Sequence, residues 1–146
     1  MVEIRRVGIS RKGTISLQDI LNIARSNSNL KKGGAIATFT GIVRGYTHGG
    51  KKVVKLKVEA CEDEARKALT EISEELRARP GVIDVLIHHL VGEFYVKEDL
   101  VYVVVIGKSR RDAFQALEEA VERYKKKAEI WKKEYLGDGT SYWITE

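Results

Sequence analysis

The sequence predicts an α+β domain in which two main helices cover one side of a mixed or antiparallel sheet, with a β-hairpin at the C-terminus. Three observations predict it. Two long segments carry apolar residues at the helical period, and several short segments alternate or run apolar as strands do. The resulting order, β-α-β-β-α-β-β-α-β-β, lacks the regular strand–helix alternation of a doubly wound fold. A chain of 146 residues suits one core and is short for two, and no repeat, low-complexity stretch or linker divides it, so residues 1–146 read as a single domain.

The elements follow from local chemistry. "VEIRRVGIS" (2–10) reads as a first strand. In "SLQD" (16–19), Ser16 and Asp19 have the spacing of a capping box and open a short helix through Leu21 and Ile23. "GGAIATFTGIVRG" (33–45) is a β-rich run bounded by glycines. In "KKVVKLKVEA" (51–60), Val54, Leu56 and Val58 alternate with Lys55, Lys57 and Glu59, which predicts one buried and one wet face. Ala65, Ala68, Leu69, Ile72 and Leu76 then mark an amphipathic helix that "RPG" (79–81) ends.

"VIDVLIHHLVG" (82–92) and "LVYVVVIG" (100–107) are two further strands, the second apolar throughout as a central strand should be. A long helix over about 110–127 presents Ala113, Phe114, Leu117, Ala120, Val121 and Tyr124 inward. "EIWKKEYLGDGTSYWIT" (129–145) reads as a hairpin turning over Gly137-Asp138-Gly139.

Composition narrows the function classes. Apolar residues make up 43% and charged residues 32%, which fits a globular chain rather than a disordered one. A net charge of +5 favours anionic partners. No apolar run approaches the roughly 20 residues that span a bilayer, and Arg5 and Arg6 interrupt any secretory signal, so the expected location is the cytoplasm. Cys61 is alone, which excludes an intrachain disulfide, and reads as a small buried filler. One cysteine and three histidines make a soft-metal site improbable. His88 and His89 are adjacent on a strand and point to opposite faces, so each reads as structural; His48, in a glycine loop, reads as solvated.

Three basic groups remain as candidates, each of which also has a reading as solvated surface charge. Arg44 ends an apolar strand at the mouth of "GYTHGGK" (45–51), where it can meet a phosphate bidentately. Arg110 and Arg111 occupy the first turn of the long helix, where the macrodipole disfavours cations, so these two lack the structural explanation that capping gives Ser109 and Asp112. "YKKKAEIWKKEYL" (124–136) gathers five lysines within nine positions around Trp131. Lys125, Lys126 and Lys127 close the helix, where cations are favoured. On the strand that follows, Trp131, Lys133 and Tyr135 face one way and Ile130, Lys132 and Glu134 the other. Lys132 therefore falls near the helix end that carries Lys125. Two amines held close together disfavour each other's charge, which prepares one to move protons near neutral pH.

Four blocks, "GAIATFTGIVRG" (34–45), "HLVGEF" (89–94), "SRRDAF" (109–114) and "YKKKAEIWKKE" (124–134), occur in an order and spacing that resemble the catalytic, large subunit family of molybdopterin synthase. The resemblance runs from about residue 34 to 134. It implies the α/β hammerhead kind of α+β fold. The implied activity is sulfur transfer from the C-terminal thiocarboxylate of a small ubiquitin-like carrier subunit, through its Gly-Gly tail, to cyclic pyranopterin monophosphate, which installs the dithiolene of molybdopterin. It also implies a homodimer within a heterotetramer and no resident cofactor. Position by position, the functional lysines fall on Lys125 and Lys132, and the substrate-binding arginines on Arg44 and Arg110, with Arg111 beside the latter. Lys125 would be the principal acid/base or covalent helper, and Lys132 its electrostatic partner. Ser109 stands where relatives often have histidine, and Leu90 where they often have a basic residue.

Residues 110 and 125 are separated by roughly 22 Å of helix, too far for one pterin to touch both. If both belong to the pocket, Arg110 comes from the other protomer. Two other readings compete. Basic segments interleaved with Trp131, Tyr135, Tyr142 and Trp143 fit a nucleic-acid-binding module, although no signature of such a module is present. A non-catalytic homologue that only docks the carrier would not need both lysines.

Overall fold

The computed structural model describes residues 5–144. Within them the chain runs β1 (Val7–Arg11), α1 (Leu17–Arg25), a 3-10 turn (Leu30–Lys32), β2 (Ala35–Ile42), β3 (Val53–Ala60), α2 (Glu62–Arg77), β4 (Val82–Tyr95), β5 (Asp99–Gly107), α3 (Arg110–Lys127), β6 (Ile130–Leu136) and β7 (Ser141–Trp143). The predicted element order is the observed one. The first strand starts at Val7 rather than residue 2, and its predicted beginning at 2–4 lies outside the described residues, as does Thr145 of the C-terminal segment.

The strands form one sheet in the order β2-β5-β4-β3-β6-β7, with β1 parallel to β4 and the other pairings antiparallel. β5 is buried along nearly its whole length, as its unbroken apolar run requires. β4 is the longest strand. Val82–His89 pairs with β5 and Ile87–Val91 with β1, whereas Gly92–Tyr95 pairs with β3. At this handover Gly92 takes φ +130°, a conformation that L side chains rarely adopt. β4 thus joins the core ladder to the ladder that carries β6 and β7.

Helices α2 and α3 pack on the sheet and on each other, and ion pairs Arg79–Glu119 and Arg123–Glu75 tie them together. Ser16 caps α1 in the predicted capping box with Asp19. Ala65, Leu69, Ile72 and Leu76 of α2 enter the core together with Val85–Ile87 and Val103–Ile106. Among the described residues, no helix is long and apolar enough to cross a membrane.

Three expectations are corrected. Val54 is exposed (46%) and Val53 buried, because a register irregularity between Val53 and Lys55 turns the strand by one position there. Phe114 is 61% exposed: α3 meets the sheet through the small residues Ala113, Ala116 and Ala120 and through Tyr124, and Phe114 sits about 100° around the helix from Ala113. Cys61 is exposed at the N-cap of α2, where its backbone N–H donates to the Glu129 carbonyl (3.1 Å); main-chain pairing, not side-chain burial, sets this position.

Candidate active site

Only Ala128 and Glu129 separate α3 from β6, so the helix end and the new strand share one corner. The Ala128 N–H donates to the Tyr124 carbonyl (3.1 Å) and closes the helix. β6 pairs with β3 such that Lys132 lies opposite Val58 and Glu134 opposite Leu56. Val58 and Leu56 are core residues, so Lys132 and Glu134 project to the inner side of the sheet while Trp131 and Tyr135 take the outer one. Lys133 is also on the outer side, its ammonium 5.5 Å from the Tyr135 ring and 5.7 Å from the Trp143 ring.

An open cleft of about 870 Å³ occupies this corner. Arg44, Lys125, Lys132 and Glu134 line it, together with Tyr142 and Trp143 of β7 and Thr47, His48 and Lys51 of the glycine loop. Basic side chains from two distant stretches therefore converge, Arg44 and Lys51 from the first and Lys125 and Lys132 from the second.

Glu134 organises the cleft. It is 2% exposed and accepts hydrogen bonds from the Tyr142 hydroxyl and from Arg44 Nε, the latter at 3.4 Å. The bond to this carboxylate, followed by desolvation, raises the Tyr142 hydroxyl above its ordinary value. Because Arg44 uses Nε for Glu134, its Nη fork is the part suited to an anion.

A smaller recess of about 200 Å³ adjoins the cleft across Lys125, Lys132 and Ile144, and is completed by His89, Tyr124, Ala128, Ile130 and Trp131. His89 is buried, and its ring centroid lies 5.8 Å from that of Tyr124. Burial, and then the positive charge of Lys132, push its pKa down to about 4 against the weaker pull of its bond to Leu90. The imidazole is uncharged at neutral pH.

Arg110 and Arg111 are not in this cleft. They are exposed at the opposite end of α3, beside the Ser109 cap. Lys126 and Lys127 are exposed and line neither cavity. Sequence reasoning placed Glu134 on the same face as Lys132 without assigning it a role, took His89 and His48 as structural and solvated, and gave Tyr142 and Trp143 only to the nucleic-acid reading. For Glu134 the signal was present, since a carboxylate on the buried face of a strand needs partners. Among the described residues no group of three or more His, Cys, Asp or Glu side chains converges to hold a metal ion.

Residues 10–127 match the model of a family described as MoaE protein. The chain is 36% identical over 136 residues to a probable molybdopterin synthase of Haloferax volcanii, covering 92% of this chain and 52% of that one, so it spans about half that relative's length. It is 36% identical over 132 residues to a molybdopterin synthase catalytic subunit of a Nostoc species, covering 90% of this chain and 77% of that one. Among solved structures it superimposes on molybdopterin synthase from Staphylococcus aureus with a TM-score of 0.86, at 31% identity, over 99% of this chain and 100% of that one. A complex of subunits 1 and 2 of molybdopterin-converting factor from Helicobacter pylori shares the fold, with a TM-score of 0.75 at 21% identity over 97% of this chain and 92% of that one.

Proposed function

The chain belongs to the MoaE protein family, that of the molybdopterin synthase catalytic subunits, and on that premise we propose that it moves sulfur from the thiocarboxylate of a small ubiquitin-like carrier subunit to cyclic pyranopterin monophosphate. Members are enzymes of molybdenum cofactor biosynthesis, which is the role this chain shares. The observation that carries the finer reading is the convergence of Arg44, Lys125 and Lys132 on one cleft.

Each part of the cleft has a task in that chemistry. The Nη fork of Arg44 receives the substrate phosphate, and Glu134 fixes the direction in which the fork points. The carrier's Gly-Gly tail enters from the open side. Each transfer forms one C–S bond on the pterin and breaks the acyl C–S bond of the thiocarboxylate, which ends as a carboxylate by taking up the oxygen that leaves the pterin or one from water. Protons must therefore move as sulfur adds and oxygen leaves, and the two amines are the groups placed to move them. Lys125 is assigned the acid/base or covalent role and Lys132 the electrostatic one. The Helicobacter structure is a complex of two subunits, which fits a partner subunit here too. On this reading the enzyme works in the cytoplasm.

The test is turnover of cyclic pyranopterin monophosphate with a thiocarboxylated carrier. Lys125→Ala and Lys132→Ala should each lower kcat by about 10²- to 10⁴-fold. Wild-type rates in both variants would remove the assignment.

The active assembly is read as a homodimer with one carrier at each end. β2 ends the strand order with β5 as its single neighbour, and among the described residues its backbone makes no other ladder. It runs from the Arg110 end of α3 towards Arg44, because Ala35 pairs with Gly107 and Thr40 with Tyr102. Its eight uncharged residues span roughly 26 Å, close to the helical distance between residues 110 and 125. Antiparallel pairing of two β2 edges would bring Arg110 of one protomer, with Arg111, to the cleft of the other. Mixing Arg110→Ala with Lys125→Ala dimers should restore about a quarter to a half of activity on random subunit exchange; no recovery excludes shared sites. The nucleic-acid alternative keeps one supporting feature, the outer face of Trp131, Lys133 and Tyr135. It gains if an oligonucleotide binds in a salt-sensitive way that mutation of Lys126, Lys127 and Lys133 abolishes.

A further inference from the structure

His89 is a buried titratable group that shares a recess with the two lysines and that the reaction as described does not use. It lies within β4, opposite Val101 of β5 and Ile9 of β1, and is 1% exposed. Its neighbour His88 shows what a purely structural histidine looks like in this strand: Nε2 sits 2.7 Å from the Arg5 carbonyl, and the ring lies against Gly8. His89 instead forms part of the recess that adjoins the cleft across Lys125 and Lys132.

The chemistry of its hydrogen bond fixes its state. Nδ1 is 2.9 Å from the Leu90 carbonyl oxygen, which can only accept, so Nδ1 carries the proton and Nε2 is left as a lone-pair acceptor. The titratable groups facing the ring are Tyr124 and Lys125 from α3 and Lys132 from β6; Ile9 and Val101, its strand neighbours, carry no charge. Of these groups, Lys132 acts on the ring by charge. Glu134, the carboxylate on the same face of β6, is already engaged by Arg44 and Tyr142. A second carboxylate at position 89 would hold the lysine in its charged form. A neutral imidazole offers an acceptor without that bias.

We propose that His89 is the positioning residue for Lys132: an uncharged acceptor in the adjoining recess that orients the lysine amine and leaves its proton free to move. The inference rests on the sulfur-transfer reading for its catalytic consequence, but not for the pairing itself.

Two measurements on the full chain separate these. The first is an NMR titration of the His89 ring in the protein without carrier or substrate. It should show the Nδ1–H tautomer, and its titration should move to higher pH in Lys132→Met. The Nε2–H tautomer, or an identical titration in both proteins, overturns the pairing whatever the reaction. The second is turnover of His89→Leu and His89→Gln, with folding checked by melting. Leu should lower kcat by about 10- to 100-fold with KM nearly unchanged and displace the kcat–pH profile, while Gln, which keeps an acceptor, recovers part of the loss. Wild-type kcat and pH profile in a folded His89→Leu protein overturn the positioning role even if the NMR pairing holds.

Discussion

The two ends of α3 carry the same kind of charge in opposite circumstances. At the N-terminal end Arg110 and Arg111 stand exposed beside the Ser109 cap, where the helix dipole opposes them. At the C-terminal end Lys125, Lys126 and Lys127 sit where the dipole favours cations. Helix electrostatics therefore explains the lysines and leaves the arginines unexplained, yet the cleft lies at the lysine end. What separates Lys125 from its two neighbours is the wall built by β6 and β7 within reach of it. A favourable dipole accounts for a charge being tolerated; a cavity beside it is what makes it available for chemistry.

The sharpest test is within the lysine end itself. Against the large losses expected for Lys125→Ala and Lys132→Ala, Lys126→Ala and Lys127→Ala should keep turnover within about twofold, as solvated charges do. Comparable losses at all four positions would make the effect one of bulk charge.

Acid should act next most strongly, and at this same end, where His89 meets Tyr124. The folded state holds His89 down to about 4 from its ordinary 6.5, so between those values the unfolded chain binds more protons. Stability is complete above about pH 6.5 and falls as pH drops towards 4, by about 3 kcal/mol for a shift of this size. Denaturant unfolding across this range should show the slope, and His89→Gln should flatten it. An unchanged slope would mean that the ring is not held neutral.

At the arginine end, Arg110→Ala should lower kcat/KM by about 10- to 100-fold if a charged contact to substrate is lost, while raising stability by about a few tenths of a kcal/mol as a cation leaves the dipole's positive end. Unchanged turnover would leave the two ends functionally unlike, with the site belonging to one chain. The smallest effect belongs to Cys61. Although exposed, it lines neither cavity of the site, so under the proposed transfer from a carrier Cys61→Ser should keep the wild-type turnover rate.

Much of the fold was legible because periodicity reports burial directly: the runs at 100–107 and 110–127 became β5 and α3. The proximity of Lys125 and Lys132 was also legible, since a two-residue link leaves little freedom between helix and strand. Val54 was misplaced because a bulge inserts one residue that a period of two cannot anticipate. Phe114 was misplaced because residue type suggested burial, while close packing of α3 on the sheet selected alanines. The roles of His89, Glu134 and Tyr142 depend on contacts among β4, β6 and β7. Their pairing is a property of sheet order and register, which local pattern does not encode.

The sharing of β4 between two ladders has a consequence for how such a site can change. Lys132 stands on a strand laced through β3 to β4, and so to the interior, whereas Tyr142 and Trp143 belong to a three-residue exposed strip whose one ladder among the described residues is with β6. One bank of the cleft is bedrock and the other is topsoil. Substitutions in the strip can reshape what the cleft admits while the lysine holds its place.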